Sequence, residues 1–374
     1  MNLNKPLRSV TWNRRTLLQR SAAAGAVGLV GYHGLTASAS SNASTASGEE
    51  IIVGEGPHSY RLVHQCVQLP SQYTWQTTHN VAVDAENNLY VIHEGRDNQK
   101  DHPSIFVFDD KGKFIRAFGS EFQGGGHGIE VRTEGSEQFL YVAAYQQVKA
   151  FAKLTLKGET VWKKFAPTES KIYHADEATN PTKVWGKDRF LPTNFAFLPD
   201  GGFFLADGYG AFHIHRFDKD GKWLSSFGGV GEGEGKFNTP HGLWIDDRNP
   251  QAPKIVVTDR AHHTLQIFSI DGKYERTITG FGLPANVDLR GDLLLVPELR
   301  ARVSLLDKDY KTVATLGSDV ERIGGDKNTI RRDESKWIDG KFVHPHDACF
   351  DLVGNIYVAE WVQSGRVSKL IKIA

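Results

Sequence analysis

The chain has 374 residues, and its 44 Lys and Arg balance 44 Asp and Glu, so its formal charge is zero and nothing points to a nucleic-acid partner. Only Cys66 and Cys349 are present, which excludes a disulfide framework even for an exported protein. Eleven per cent aromatic residues and 38 glycines suit short strands packed face to face and joined by tight turns.

The first predicted element is a targeting segment over residues 1–39. Asn13-Arg14-Arg15-Thr16-Leu17-Leu18 is a twin-arginine pattern, and an Ala- and Gly-rich apolar stretch over 22–34 and a small-residue site, Ala37-Ser38-Ala39, follow it. The apolar run is too short and too rich in glycine to span a membrane, so no stable span is expected after processing. This order implies a bacterial protein handed to the twin-arginine export machinery already folded, with a periplasmic or extracellular destination. Residues 40–50, mostly Ser, Ala, Thr and Gly, read as a flexible leader. Residues 51–374 read as one domain.

Six segments of that domain repeat one phrase. They begin at His79, His127, Asn194, His241, Asn286 and His346, and each runs into an apolar strand and then a turn. Self-similarity at a period of about 40–50 residues marks a propeller or solenoid. The fourth repeat shows the layout: strands over 241–246, 254–258 and 264–270, the turn Asp271-Gly272-Lys273, and an outer strand over 274–279. Outer strands are likewise predicted over 114–118, 160–165, 223–227 and 313–316. The sixth repeat stops after strands over 356–360 and 367–373. Residues 60–69 form an alternating segment ahead of the first repeat, and pairing it with the last blade closes the ring and removes the open edge. The predicted fold is therefore all-β, a six-bladed propeller closed by an N-terminal strand. Cys66 then lies on the outermost strand of the last blade and Cys349 on its innermost. Three spacings of about 4.7 Å separate them, beyond the disulfide limit of about 7 Å, so both should be free thiols.

A position that recurs once per blade becomes a ring around the channel. Four imidazoles in that ring make a metal-site hypothesis, because three histidines on rigid strands with an open position are what a catalytic zinc site needs. A polar channel that is merely hydrated is the competing reading. A second ring comes from the ends of the next strands: His93-Glu94-Gly95-Arg96, Asp207-Gly208-Tyr209, Asp259-Arg260, Glu298-Leu299-Arg300 and Glu360-Trp361. Its carboxylates suit turn-capping and pairing with arginine. Tyr209, Arg96 and Arg260 offer a phenol and two guanidiniums for a proton and a carboxylate.

Thr193-Asn194-Phe195, Ala206-Asp207-Gly208-Tyr209, Thr239-Pro240-His241-Gly242-Leu243, Thr258-Asp259-Arg260 and His344-Pro345-His346-Asp347 stand in one order along the chain. In these short patches the chain resembles the lyase domain of peptidylglycine α-amidating enzymes. More broadly, over nearly all of residues 51–374, it resembles six-bladed propellers built from NHL repeats. The resemblance implies zinc on His127, His241 and His346; the histidine ring itself offers His79 as a fourth contributor. It implies a catalytic Tyr209 and functional arginines at Arg260 and Arg96. It also implies a structural calcium held by Asp347 and by backbone carbonyls near Val81 and Ile129. The implied reaction cleaves a C–N bond of a small-molecule or peptide substrate, a peptidyl-α-hydroxyglycine, releasing an amide and glyoxylate. Tyr209 takes the hydroxyl proton, helped by a phenol pKa lowered from its usual value of about 10. Arg260 holds the carboxylate.

The chain departs from that family. Its disulfide cysteines are absent, His344 stands where methionine is usual, His79 and His93 are additional imidazoles, and no companion monooxygenase domain is present. Two other function classes compete, a non-catalytic propeller binding a protein or glycan and a calcium-dependent lactonase-like hydrolase. Calcium sites of that last kind favour carboxylate and amide oxygens, whereas this ring is rich in imidazole. The long insertions over 167–189, with His174, and 319–340 remain unassigned.

Overall fold

The computed structural model describes residues 50–96, 98–99, 101–179 and 184–373. The targeting segment expected over 1–39, and all of the 40–50 leader except Glu50, lie outside the described residues. Among the described residues no helix is long and apolar enough to cross a membrane.

Six small antiparallel sheets make a six-bladed β-propeller, as the repeats predict. Blade 1 runs from the inner strand Thr78–Val83 through Leu89–His93 and Ile105–Phe108 to Phe114–Phe118. Blade 2 spans Gly126–Glu134, Glu137–Tyr145, Lys149–Thr155 and Thr160–Lys164, and blade 3 spans Phe195–Phe197, Phe203–Ala206, His213–Phe217 and Trp223–Gly228. Blade 4 is Pro240–Asp246, Lys254–Asp259, Thr264–Ser269 and Tyr274–Ile278, and blade 5 is Asp288–Arg290, Leu293–Glu298, Arg302–Leu306 and Thr312–Leu316.

One turn chemistry builds the outer hairpins of blades 1, 3 and 5. Asp109, Asp218 and Asp307 each accept the N–H groups two and four residues on, at 2.8–3.0 Å, which folds the chain back before the outer strand. The residue three after the aspartate must then take a left-handed conformation. Gly112 and Gly221 do so at φ 79° and 70°. In blade 5 Tyr310 adopts φ 64° instead, and its hydroxyl bonds Asp246 Oδ2 at 2.5 Å.

The core consists of apolar layers between neighbouring blades. Blades 1 and 2 enclose Tyr90, Ile92, Ile129 and Leu140. The layer between blades 2 and 3 is aromatic, with Tyr141, Phe151, Phe195, Phe203 and Phe217. Comparable layers separate the remaining pairs, including blade 6 from blade 1. This continuous stacking fixes where the inner strands begin around the axis.

Blade 6 closes the ring. Its strands Pro345–Phe350, Ile356–Glu360 and Arg366–Lys372 are completed by Tyr60–Val63, which pairs with Arg366–Lys372 from Tyr60↔Lys372 to Val63↔Lys369. The closing strand is shorter than the expected 60–69, because Gln65 turns at φ 50°. A two-residue strand, Ile52–Val53, adds an unanticipated fifth position outside it. Within the blade, Arg366 makes a buried two-pronged ion pair with Glu360. Thr78 Oγ1 donates to the Glu360 carbonyl at 2.7 Å, linking blade 6 to blade 1. Cys66 and Cys349 are free thiols, and burial pushes the Cys66 pKa up to about 12.

Leu62 is 4% exposed and lies in the layer between blades 5 and 6. Leu62→Ala should therefore cost about 2–5 kcal/mol in urea unfolding, the usual range for a buried Leu→Ala change. A loss below about 0.5 kcal/mol, the size of a neutral surface change, would show that the closing strand contributes little.

Candidate metal centre and active site

Each histidine of the repeat sits on a β-bulge. Thr78 pairs with His93 and Asn80 with Ile92, leaving His79 as the extra residue. His127 is left over in the same way between Gly126 and Gly128, and His346 between Pro345 and Asp347. In blade 4, His241 and Gly242 face Thr258 alone. A bulge re-aims a side chain that the regular pleat would keep within the inter-blade layer, so four imidazoles turn to the axis. The glycine after His127 serves the same geometry, since a Cβ on Gly128 would run into the Thr193 carbonyl oxygen.

That carbonyl also fixes the ring of His127. His127 Nδ1 lies 3.0 Å from Thr193 O, His241 Nδ1 lies 2.6 Å from Ala285 O, and His346 Nδ1 lies 2.7 Å from His79 O. A carbonyl oxygen only accepts, so each Nδ1 carries a proton and each Nε2 presents a lone pair. The three rings pack with centroids 4.7–5.0 Å apart, and the Nε2 atoms of His127 and His241 are 3.0 Å apart. Burial drives the pKa of all three imidazoliums well below the ordinary value, with nearby histidines and Arg260 adding to the effect. Neutral nitrogen lone pairs facing one another at this distance repel unless a cation lies among them. The donor set therefore fits a zinc-type ion, and outer hydrogen bonds to carbonyls are the usual support for such ligands.

The set that converges differs from the expected His127, His241 and His346: His79 takes a place in it with His127 and His346, and His241 joins through its 3.0 Å contact with His127. One ring nitrogen from each of His79, His127 and His346 lies within 4.8 Å of the others. Both His79 nitrogens are buried without a hydrogen bond, and Nε2 is 3.4 Å from Glu94 Oε2. Glu94 Oε1 accepts from Gln146 Nε2, which also lies 2.8 Å from the Tyr145 hydroxyl.

Tyr209 and Arg260 stand at the cluster. The Tyr209 hydroxyl is 2.9 Å from His241 Nε2 and 3.4 Å from His127 Nε2. Arg260 Nη1 donates to that hydroxyl at 3.1 Å, and its guanidinium lies 5.0 Å from the centre of the tyrosine ring. Burial raises the Tyr209 pKa, and Arg260 only partly opposes it. In the protein alone the phenol is thus held in its neutral form, the opposite direction to the lowering that sequence reasoning expects. Arg96 does not join this group: it is exposed, its backbone N–H donates to Gln123 Oε1 at 2.9 Å, and its side chain makes no hydrogen bond to the cluster among the described residues.

Sequence reasoning misses several neighbours. Tyr145 stacks on Tyr209 at 4.9 Å, and Trp185 lies 5.7 Å from Tyr209 and 5.9 Å from Tyr145. Trp185 comes from the 167–189 insertion, which the fully buried Lys149–Glu177 pair at 2.6 Å and the Tyr173–Asp207 bond at 2.8 Å pin to the propeller. Arg331 comes from the 319–340 insertion, whose Ile323, Ile330 and Trp337 pack on Val343 and Val362. Only the length of these insertions hinted at a role.

A second layer of the channel, next to the histidines along the chain, is rich in oxygen. Asp347 Oδ2 accepts the Val81 N–H at 2.8 Å, and Oδ1 accepts from Asn286 Nδ2 at 2.5 Å. Burial raises the Asp347 pKa to about 7 and that of Asp288 to about 6. Glu130 is pushed well above its ordinary value by burial and by Asp347 and Asp288. The amide oxygens of Asn80, Asn194 and Asn286 are buried without partners. Carboxylates that repel one another beside orphaned amide oxygens fit a hard cation such as calcium. Asp347 meets the N–H of Val81, and the wider donor set includes Glu130 and the three asparagines.

No family model matches the chain, and no curated protein matches it in sequence. Among solved structures sharing the fold, a streptogramin B lyase superposes with a TM-score of 0.53 at 11% identity, covering 83% of this chain and 97% of the other. A gluconolactonase from Xanthomonas campestris gives 0.53 at 12% identity over 84% and 90% of the two chains. A catalytically inactive virginiamycin B lyase from Staphylococcus aureus, solved with quinupristin, gives 0.50 at 14% identity over 84% and 100%. At these identities the likeness establishes the six-bladed fold.

The oxygen layer gives a pH prediction. Asp288 titrates near 6 when folded and near 4 when unfolded. The folded chain therefore binds more protons in that interval, and its stability falls as pH rises through it, by on the order of 2–3 kcal/mol. Asp288→Asn should flatten that slope in melts of chelator-treated protein between about pH 4 and 7. An unchanged slope would place the carboxyl in a more hydrated setting.

Proposed function

We propose that this chain is an exported zinc-dependent lyase that cleaves a C–N bond at a hydroxylated, carboxylated carbon, with a peptidyl-α-hydroxyglycine as the type of substrate. The observation that carries this reading is the convergence of three Nδ1-anchored imidazoles with the Tyr209 hydroxyl, 2.9 Å from His241 Nε2. His127, His241 and His346 would hold the zinc, with His79 beside them. The metal would supply Lewis-acid polarisation of the substrate hydroxyl. Within the chain, Tyr209 would take up the hydroxyl proton in its ionised form, with the Glu94 carboxylate beside His79 as the other base at the cluster. Arg260, donating to the phenol oxygen at 3.1 Å, favours its ionised form. As the carbon–oxygen double bond forms, the C–N bond breaks and the nitrogen leaves as an amide, taking a proton. Arg260 Nη2 makes no hydrogen bond to a described residue and is free to meet the carboxylate that becomes glyoxylate. Tyr145 and Trp185 supply an aromatic wall beside Tyr209.

Calcium is proposed as a structural ion, held by Asp347, Glu130 and the asparagine oxygens. The same oxygen layer favours a second reading, a lactonase-like hydrolase in which the hard cation is the working metal. The resemblance to a gluconolactonase in fold is compatible with it. The imidazole ring, which such a mechanism leaves without a task, favours the lyase. The export signal implies action outside the cytoplasm.

Tyr209→Phe should lower glyoxylate release from a peptidyl-α-hydroxyglycine by at least about a hundredfold, the scale of a lost general base, with metal content intact. Release at the parental rate, or hydrolysis of a lactone in place of glyoxylate release, would overturn the lyase reading.

A further inference from the structure

A pocket of about 460 Å³ opens beside the histidine cluster. Glu94, Tyr145 and Gln146 form one side, and Arg331, Arg332 and Trp361 form the other. It is joined to the cluster through Glu94, 3.4 Å from His79, and through Tyr145, stacked on Tyr209. Arg260 and Tyr209 belong to blades 4 and 3, whereas this pocket lies over blades 6, 1 and 2. A substrate with its reacting carbon at the histidines can therefore extend its far end into this pocket.

Arg331 is held ready in this pocket. Its Nε donates to the Trp361 carbonyl at 3.1 Å, its guanidinium lies 3.3 Å from the centre of the Trp361 ring, and its own carbonyl accepts the Gln363 N–H at 2.9 Å. Ile330, immediately before it, is 7% exposed in the small core beneath the insertion. The two Nη groups make no hydrogen bond or ion pair with any described residue. A guanidinium fixed through Nε and stacked on indole, with its amine edge unpaired, is prepared for a planar anion. Glu94 is the one acid lining the pocket, and its oxygens already face His79 and Gln146. Two guanidiniums against one engaged carboxylate leave the pocket positive.

We propose that Arg331 is a specificity-determining residue that binds a second anionic group at the far end of the substrate, so that the preferred substrate carries a carboxylate at both ends. This assignment rests on the lyase reading for the position of the reacting end. It selects acylated substrates with an acidic acyl group, such as succinyl or an N-terminal acidic residue, over those with a neutral one.

The test uses two small probes, N-succinylglycine and N-acetylglycine, which share the glycine carboxylate and differ in the distal acid. Calorimetric titration into the zinc-loaded protein should show N-succinylglycine binding about tenfold or more tighter, the value of one charge-assisted pair. In Arg331→Ala that preference should fall to within about twofold, and in Arg331→Lys it should be intermediate, since lysine keeps the charge without the fork. Melting curves check that each variant folds, and if the alanine variant does not, the lysine variant decides. Absence of a preference in the parent, or a preference that survives in the variants, overturns the assignment. Glyoxylate release from the matching succinyl-α-hydroxyglycine is read separately. Loss of the preference in Arg331→Ala without any glyoxylate from the parent would uphold the anion site and reject the lyase reading.

Discussion

The site depends on a backbone irregularity repeated around a ring. A strand with regular pleating would turn its side chains into the layers between blades, where apolar residues pack. One extra residue at the start of the inner strand breaks that alternation and delivers the imidazoles of blades 1, 2, 4 and 6 to the axis. The layers then hold these strands in place, so the imidazoles cannot spread apart. Three of them spend their Nδ1 protons on carbonyls one blade on, which leaves their Nε2 lone pairs free, those of His127 and His241 facing each other at 3.0 Å. The repulsion among them is a structural cost that a bound cation would remove.

The two layers of the channel divide the chemistry of metals between them. Neutral nitrogen donors, depressed in pKa by burial, suit a borderline-soft ion. Carboxyls raised in pKa by the same burial, beside unpaired amide oxygens, suit a hard one. Adjacent residues, His346 and Asp347, serve the two layers from one bulge. A single fold feature thus sets a nitrogen-rich layer and an oxygen-rich layer side by side without separate domains.

Much of this was legible in the chain. Six copies of one phrase fixed the blade count, because only a ring explains a polar position recurring at the same place in every copy. The truncated sixth repeat pointed to an N-terminal closing strand, and Tyr60–Val63 fills that place. Tyr209 and Arg260 were found because they follow the second strands of blades 3 and 4, whose register carries them to the axis. Arg96 follows a second strand too, but the chain beyond it leaves the blade in a longer excursion, and the residue ends exposed. Arg331 and Trp185 were hidden because they sit in insertions without periodicity. Their positions follow from long-range packing of Ile330 and of Lys149 with Glu177, which no local pattern encodes. The direction of the Tyr209 shift was also out of reach, since it turns on the balance between burial and one arginine.

The central claim is that the converging imidazoles hold a transition metal. Its most direct test is metal analysis of the purified, zinc-incubated and desalted chain, beside a variant carrying His127→Ala, His241→Ala and His346→Ala. The account predicts about one zinc per chain in the parent, as a three-histidine site binds one ion, and close to none in the variant. Equal zinc in both, or none in the parent, would contradict it.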